Sequence, residues 1–148
     1  MKVFKYGGAS VKDAEGVKNL AEILTKYKDD NPLVVISAMG KTTNALEEVA
    51  RAFYLNQDDA LEKLNYVKQF HDHILTELFD KRHSIYDAVS NLFLEIEWAI
   101  EDTPRPYYSY EYDQIVSVGE LLSTTIVSAY LKEIGIDNDL LDARDVVK

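Results

Sequence analysis

The chain of 148 residues suits one domain or part of a larger one, and its 47% hydrophobic content excludes general disorder. It contains no cysteine, which excludes a structural disulfide, a thiolate zinc site and a cysteine nucleophile. The formal net charge of −10 argues against non-specific nucleic-acid binding, and we identify no apolar stretch long enough for a membrane span or a signal peptide.

The first fifty residues alternate between strand and helix patterns. Val3–Tyr6 is a short strand candidate that stops at Gly7-Gly8, and residues 13–27 repeat apolar side chains at helical spacing. Leu33–Ile36 has the continuous apolar character of a strand buried on both faces, and a polar loop at 37–44 leads into a second helix. This alternation predicts an α/β fold with a parallel sheet covered by helices, in which sites form at the carboxyl ends of the strands.

The second part of the chain is predominantly helical. Residues 58–102 contain two long amphipathic patterns, which predict a helical insertion. We predict a tyrosine-rich loop at 103–112, a helix at 113–134 capped by Gly135, and a third strand at 139–141 that leads into 142–148. Three strands are few for such a sheet, so we expect the domain to be truncated.

The first polar segment is the glycine turn of residues 5–10. Gly7 and Gly8 let the backbone come close to a ligand and direct N–H groups toward it, and Lys5 adds a positive charge. The helix that begins just beyond the turn favours anions at its N-terminus. The segment therefore predicts a phosphate cradle, and the alternative is a tight turn with a solvated lysine.

The second segment, residues 37–44, is rich in hydroxyl groups. Its run Gly40-Lys41-Thr42 lacks the glycine that a Walker A loop requires five positions earlier, where Val35 stands, so that motif is excluded. The remaining polar side chains can donate to carboxylate or phosphate oxygens: Ser37, Thr42, Thr43 and Asn44. The alternative is ordinary capping of the next helix by Thr43 or Asn44.

The third segment, residues 116–124, places Gly119 and Glu120 inside an apolar helical pattern. A glycine inside a helix costs about 1 kcal/mol relative to alanine, which indicates that something packs closely against the helix. The apolar surroundings allow Glu120 to be a partly buried carboxylate, whose cationic partner would be a ligand ammonium group or Lys5. The alternative is a glutamate that faces solvent.

Two other clusters carry less chemical information. His71 and His73 stand two positions apart on a predicted helix and do not face each other, so we predict no metal site there. Four tyrosines near residue 110 can form a patch for a partner or cover the helical insertion: Tyr107, Tyr108, Tyr110 and Tyr112.

Taken together, the three segments resemble the signatures of aspartate kinases in the amino-acid kinase family. Residues 5–11 are similar to the opening K-F-G-G-T-S-V of these enzymes, with Ala9 where threonine is usual. Residues 35–44 are similar to their second signature and residues 116–124 to their third, in the same order. The resemblance covers essentially the whole chain. It implies a parallel-sheet α/β/α sandwich in which residues 1–148 form the N-terminal part of the catalytic domain.

The resemblance also implies an activity. Such enzymes transfer a phosphoryl group from ATP, which brings Mg²⁺ with it, to the side-chain carboxylate of L-aspartate, giving 4-phospho-L-aspartate for lysine, threonine and methionine biosynthesis. Lys5 would be the catalytic cation. The ATP phosphates would be lined by the glycine turn: Lys5, Gly7, Gly8 and Ser10. The aspartate would be contacted by three side chains, the last of which accepts its α-ammonium group: Ser37, Thr43 and Glu120.

The same resemblance places other parts of the enzyme outside these residues. The nucleotide-base contacts, further catalytic groups and the regulatory domains belong to the missing part, so we expect the 148 residues alone to be inactive. The parent enzyme would be a cytoplasmic homo-oligomer without nucleic-acid or membrane partners. Two alternatives stay open: a kinase of the same family acting on another small acid, and a non-catalytic module that binds aspartate or mediates assembly.

Overall fold

The computed structural model describes residues 1–147. In this range, two strands, one 3-10 turn and seven helices follow each other in chain order: β1 Val3–Tyr6, α1 Ala14–Thr25, the 3-10 turn Lys28–Asp30, β2 Leu33–Ile36, α2 Thr42–Tyr54, α3 Ala60–Leu78, α4 Ile85–Glu101, α5 Tyr108–Val116, α6 Val118–Glu133 and α7 Ala143–Val146. The predicted α/β class is confirmed, with a helix-rich chain around a small parallel sheet.

The sheet has one packed face and one open face. β1 and β2 run parallel, with Val3 opposite Leu33 and Tyr6 opposite Ile36, and α1 forms the crossover between them. The prediction that β2 is buried on both faces was wrong, because Val35 is 44% exposed and Leu33 is 40% exposed. Alternate residues of both strands pack on the helical core, and the described residues leave the other face uncovered.

The predicted third strand is also absent from the described residues. Residues 137–142 have no regular structure, and Leu140 and Leu141 are 47% and 62% exposed. This segment is held by side-chain bonds to α6 instead of a strand ladder, since Asn138 Nδ2 donates to the Ser128 carbonyl at 3.2 Å. The end of the predicted segment 142–148 includes Lys148, which lies outside the described residues.

Helix α5 begins earlier than predicted, because tertiary contacts extend it. The sequence predicts a loop up to residue 112, yet the helix starts at Tyr108 and ends at Val116, before a short break at Ser117. The buried carboxylate of Glu111 accepts a hydrogen bond from the Arg105 backbone N–H at 2.7 Å, which closes the loop onto the helix.

Two of the four tyrosines contact α2 and the other two are exposed. Tyr108 packs edge-on against Tyr54 with ring centroids 5.3 Å apart, and Tyr112 donates to Glu47 at 2.8 Å. Tyr107 and Tyr110 remain exposed. The tyrosine segment therefore attaches α5 to α2 rather than covering the helical insertion.

The stretch Tyr108–Glu133, which joins α5 and α6, is long and apolar enough to cross a membrane by length and composition alone. The expectation that no stretch reaches this length was therefore wrong. However, 56% of its most apolar window is buried inside the protein, where Leu122, Ile126 and Val127 belong to the core. Core helices of globular proteins commonly have this character.

The two long helices predicted within residues 58–102 are present as α3 and α4. Their facing sides bury Leu64, Ile74, Phe93 and Ile96 in the common core. His71 is fully buried there between the rings of Phe70 and Phe93, whereas His73 is exposed beside Glu77. The two histidines do not converge, and no group of three metal-ligating side chains occurs within residues 1–147.

The glycine turn packs directly on the loop that follows β2. The Gly40 N–H donates to the Gly8 carbonyl at 3.0 Å, and the Ser37 N–H donates to the Tyr6 carbonyl at 3.0 Å. A Cβ at Gly8 would lie 2.6 Å from the Gly40 carbonyl oxygen and 2.8 Å from that of Ala38. Only glycine allows this backbone contact, since real Cβ atoms do not come so close to carbonyl oxygens.

Replacement of Gly8 by alanine is expected to lower the free energy of unfolding of this chain by about 1–3 kcal/mol, because the two loops must separate. Gly7→Ala is the matched control, since a Cβ there meets nothing within 4 Å. Urea denaturation of both variants checks this prediction. Equal stability of the two variants would contradict it.

His71 is expected to make the chain less stable in acid. Burial lowers the pKa of His71 below its ordinary value of 6.5, against smaller opposing effects of the Val67 carbonyl and Asp72. The stabilising contribution is present above pH 6.5 and is lost as the pH falls, by up to about 1.4 kcal/mol per pH unit.

Urea denaturation between pH 7 and 5 tests the His71 effect. His71→Phe should flatten the loss of stability, and His73→Gln, which changes an exposed histidine, should leave the pH profile unchanged. A His71→Phe profile as steep as that of the parent chain would refute this origin of the acid sensitivity.

Candidate functional site

The third polar segment is seated on the second through Gly119. This buried glycine in the first turn of α6 faces Ala38 and the start of α2, and a Cβ on it would lie 3.2–3.3 Å from Leu46 Cδ1, Ala38 Cβ and Thr42 Cγ2. Such distances are tighter than ordinary van der Waals contact. The sequence prediction of a close packing partner for this glycine is confirmed, and the partner is the protein itself.

A groove with a volume of about 1080 Å³ lies between β2, α6 and residues 136–147. Its lining includes three of the predicted site residues, one from each polar segment: Lys5, Ser37 and Glu120. Residues distant in sequence therefore converge on one open space. Gly8 and Gly119 both pack on residues 38–40. Because Lys5 lies shortly before Gly8 and Glu120 directly follows Gly119, these contacts bring Lys5 and Glu120 to the same groove.

The groove-lining groups differ in whether they already have partners. Within residues 1–147, neither Lys5 Nζ nor the Glu120 carboxylate forms an ion pair, and the Ser37 hydroxyl makes no hydrogen bond. In contrast, Arg144 is held by its own neighbour Asp142, with Nη2–Oδ2 at 2.7 Å. These bonds lower the pKa of the Asp142 carboxyl.

Glu120 is exposed, which confirms the solvent-facing alternative and not the partly buried carboxylate. Its helix presents it to the groove rather than to the core, since Gly119 beside it occupies the core-facing position. A carboxylate in this position can bind a ligand cation without a large desolvation cost.

The other predicted residues lie outside the groove lining. Ser10 borders a separate cavity of about 510 Å³ beside α1, together with Tyr6. Thr43 is exposed in the first turn of α2. Neither Thr43 nor Asn44 caps this helix, which already begins at Thr42, whose hydroxyl donates to the Met39 carbonyl at 2.6 Å.

The cavity beside α1 contains an unexpected polar atom. The Tyr6 hydroxyl is buried without a hydrogen-bond partner in the described part of the chain, and burial raises the pKa of Tyr6. It lies on the packed side of β1, whereas Lys5 lies on the side of the groove. Strand alternation therefore separates the two side chains to opposite faces.

The glycine turn fits a phosphate group in its immediate surroundings. The space over Gly7 is open, since a Cβ there would meet no atom within 4 Å, and the Ser10 N–H closes the turn on the Gly7 carbonyl at 3.0 Å. Lys5 adjoins this turn with its charge uncompensated by any ion pair among the described residues. An exposed backbone next to a lone cation is the arrangement that anions favour.

Ser117 also lines the groove, although the sequence pattern predicts no role for it. This serine lies between α5 and α6, one helical turn before Glu120, and is among the residues that line the same groove. The spacing i, i+3 to a predicted acidic ligand was the signal that could have identified it.

Known proteins with similar sequences are aspartokinases. The chain is 35% identical over 139 residues to aspartokinase 2, chloroplastic, of Arabidopsis thaliana, covering 90% of this chain and 25% of that protein. It is 34% identical over an alignment of 150 residues to aspartokinase 1, chloroplastic, of the same plant, covering 97% of this chain and 26% of that protein. The chain thus spans about a quarter of the length of these relatives.

Solved structures with a similar fold include aspartokinases as well. Escherichia coli aspartokinase III in complex with lysine and aspartate superposes with a TM-score of 0.79 at 30% identity, over 93% of this chain and 30% of that one. The complex of the same enzyme with aspartate and ADP superposes with a TM-score of 0.77 at 29% identity, over 90% of this chain and 29% of that one. The model of the amino acid kinase family matches residues 1–148. The chain therefore belongs to the amino acid kinase family.

Proposed function

We propose that the protein is an aspartate kinase, which transfers the γ-phosphoryl group of ATP to the side-chain carboxylate of L-aspartate. The observation that carries this proposal is the groove in which Lys5, Ser37 and Glu120 meet without ion-pair or side-chain hydrogen-bond partners among residues 1–147. A cation, a hydroxyl and a carboxylate together complement a ligand that carries both carboxylate and ammonium groups. The similar aspartokinase III structures contain aspartate, with ADP or lysine.

In this proposal the chemistry depends on positioning and charge. A carboxylate oxygen of aspartate attacks the γ-phosphorus, the bond to the β,γ-bridging oxygen breaks, and ADP leaves with that oxygen. Lys5 stabilises the negative charge on the transferring group. The turn of Gly7, Gly8 and Ser10 contributes backbone N–H groups and a hydroxyl to the phosphates.

The substrate contacts come from the other two segments. Glu120 accepts hydrogen bonds from the α-ammonium group, and Ser37 donates to a carboxylate of aspartate. Thr43, exposed at the start of α2, contributes a second hydroxyl to the aspartate. The product, 4-phospho-L-aspartate, would serve lysine, threonine and methionine biosynthesis.

Mg²⁺ belongs to this proposal as a companion of the nucleotide. Bound to ATP, it neutralises charge on the β- and γ-phosphates. Because no cluster of three acidic or histidine side chains suited to a metal occurs in the described part of the chain, its ligands here would be mainly phosphate oxygens and water. The cytoplasmic location and the homo-oligomeric state stay predictions.

We further propose that residues 1–148 are the N-terminal part of the catalytic domain and supply the substrate-side half of the site. The 148-residue chain alone should then form no ADP that depends on aspartate, because the remaining nucleotide and carboxylate contacts lie elsewhere in the full-length protein. A coupled ADP assay with and without L-aspartate measures this. Aspartate-dependent turnover that disappears in a Lys5→Ala chain would disprove the half-site proposal.

In the full-length natural protein, Lys5→Ala is expected to lower kcat by about 100-fold or more, since one preorganised charge at the transferring phosphoryl group is lost. Lys18→Ala removes an exposed lysine of α1 and serves as the control. Steady-state kinetics with L-aspartate and ATP test both variants. A Lys5→Ala enzyme with a kcat close to that of the control would overturn the role of Lys5.

A further inference from the structure

We propose that Ser117 is a further substrate-contacting residue, whose hydroxyl oxygen accepts a hydrogen bond from the ligand ammonium group that Glu120 binds. This inference rests on the proposed function, because it concerns the same groove and the same amino-acid ligand. It adds a second acceptor for the ammonium group, and with it a reason for the site to discriminate an amino acid from its deamino analogue.

The hydrogen bonds of the neighbouring hydroxyls distinguish Ser117. Three hydroxyl side chains of the stretch 117–128 line the groove, and two of them are already engaged. Thr124 Oγ1 donates to the Glu120 carbonyl at 2.8 Å, and Ser128 Oγ donates to Asn138 Oδ1 at 2.6 Å. The Ser117 hydroxyl has no hydrogen-bond partner within residues 1–147, although its side chain is half-buried.

The backbone places Ser117 and Glu120 on one helical face. Ser117 has helical dihedrals, with φ −60° and ψ −25°, and immediately precedes the first residue of α6. Side chains three positions apart on such a backbone have Cβ atoms about 5–6 Å apart. An ammonium group donates three hydrogen bonds, so one ligand group can bond the Glu120 carboxylate and the Ser117 hydroxyl at the same time.

A purely structural role for the Ser117 hydroxyl lacks support in the contacts. The residue stands at the N-cap position of α6, where serine commonly caps a helix, but its side chain makes no capping hydrogen bond. Close packing at this point is supplied by the neighbouring Gly119 instead. Removal of the hydroxyl therefore takes away no intramolecular bond, and its effect should appear in ligand binding rather than in folding.

The test compares two ligands that differ in the ammonium group. Calorimetry on the full-length natural protein measures the Kd of L-aspartate and of succinate, which has both carboxylates but no amino group. Ser117→Ala should weaken aspartate binding about 10-fold, the size of one hydrogen bond to a charged group, and change succinate binding less than twofold. Glu120→Gln should likewise weaken the binding of aspartate more than the binding of succinate.

Two controls separate binding from stability. Thr125→Val removes a hydroxyl from the same helix outside the groove lining and should change neither Kd. Ser117→Thr keeps a hydroxyl and should retain the aspartate affinity within about threefold of the parent. Thermal unfolding of each variant shows whether the fold is intact. If Ser117→Ala does not fold, Ser117→Cys decides the question, because its thiol is a weaker acceptor of similar size and should weaken aspartate binding selectively.

The possible failures can be told apart. Unchanged aspartate binding by Ser117→Ala, or equal weakening of aspartate and succinate, overturns the role of Ser117 while leaving the proposed activity intact. Absence of phosphoryl transfer to aspartate by the unaltered enzyme, measured in parallel, overturns the proposed function itself. An unaltered protein that does not bind aspartate overturns both.

Discussion

The segment Ala38–Gly40 contacts two glycines that lie far apart in sequence, and the convergence of Lys5, Ser37 and Glu120 on the groove depends on these contacts. Gly8 packs on the carbonyl oxygens of Ala38 and Gly40, and Gly119 packs on the side chains of Ala38 and Thr42. A side chain at either glycine would move one polar segment away from the others. The groove residues Lys5 and Glu120 are therefore positioned by close packing next to them rather than by bonds of their own.

Charge is distributed in this protein so that the groove keeps groups available for a ligand. The net charge of −10 opposes anionic ligands at long range, so a phosphate or a dicarboxylate must be attracted locally. Lys5 can do this because the described residues give it no acidic partner. Arg144 at the same groove is compensated by Asp142, and Glu120 provides the opposite charge for an ammonium group. An amino acid with a second carboxylate matches this pattern.

Helix α2 serves as the common support of the site. Its first turn contacts Gly119, and its outer side binds α5 through the hydrogen bond from Tyr112 to Glu47. Because α5 continues almost directly into α6, this attachment fixes the direction from which Glu120 and Ser117 reach the groove. The helical insertion extends the same core behind α2 and contributes no groove-lining residue.

The parallel βαβ opening, the two long helices α3 and α4 and the three polar segments were predictable from the chain alone, because apolar periodicity and glycine turns are local properties. The open face of β2 and the start of α5 at Tyr108 were not predictable, since they depend on neighbours: helices cover one sheet face, and Glu111 closes the loop before α5. The lack of a third strand was not predictable either, because no strand within residues 1–147 lies beside 139–141. Nor could spacing alone show that Ser117 lacks a bond while Thr124 and Ser128 have theirs. The Thr124 hydroxyl bonds within its own helix, to the Glu120 carbonyl, whereas the partner of Ser128 is Asn138, which the folded chain brings back against α6.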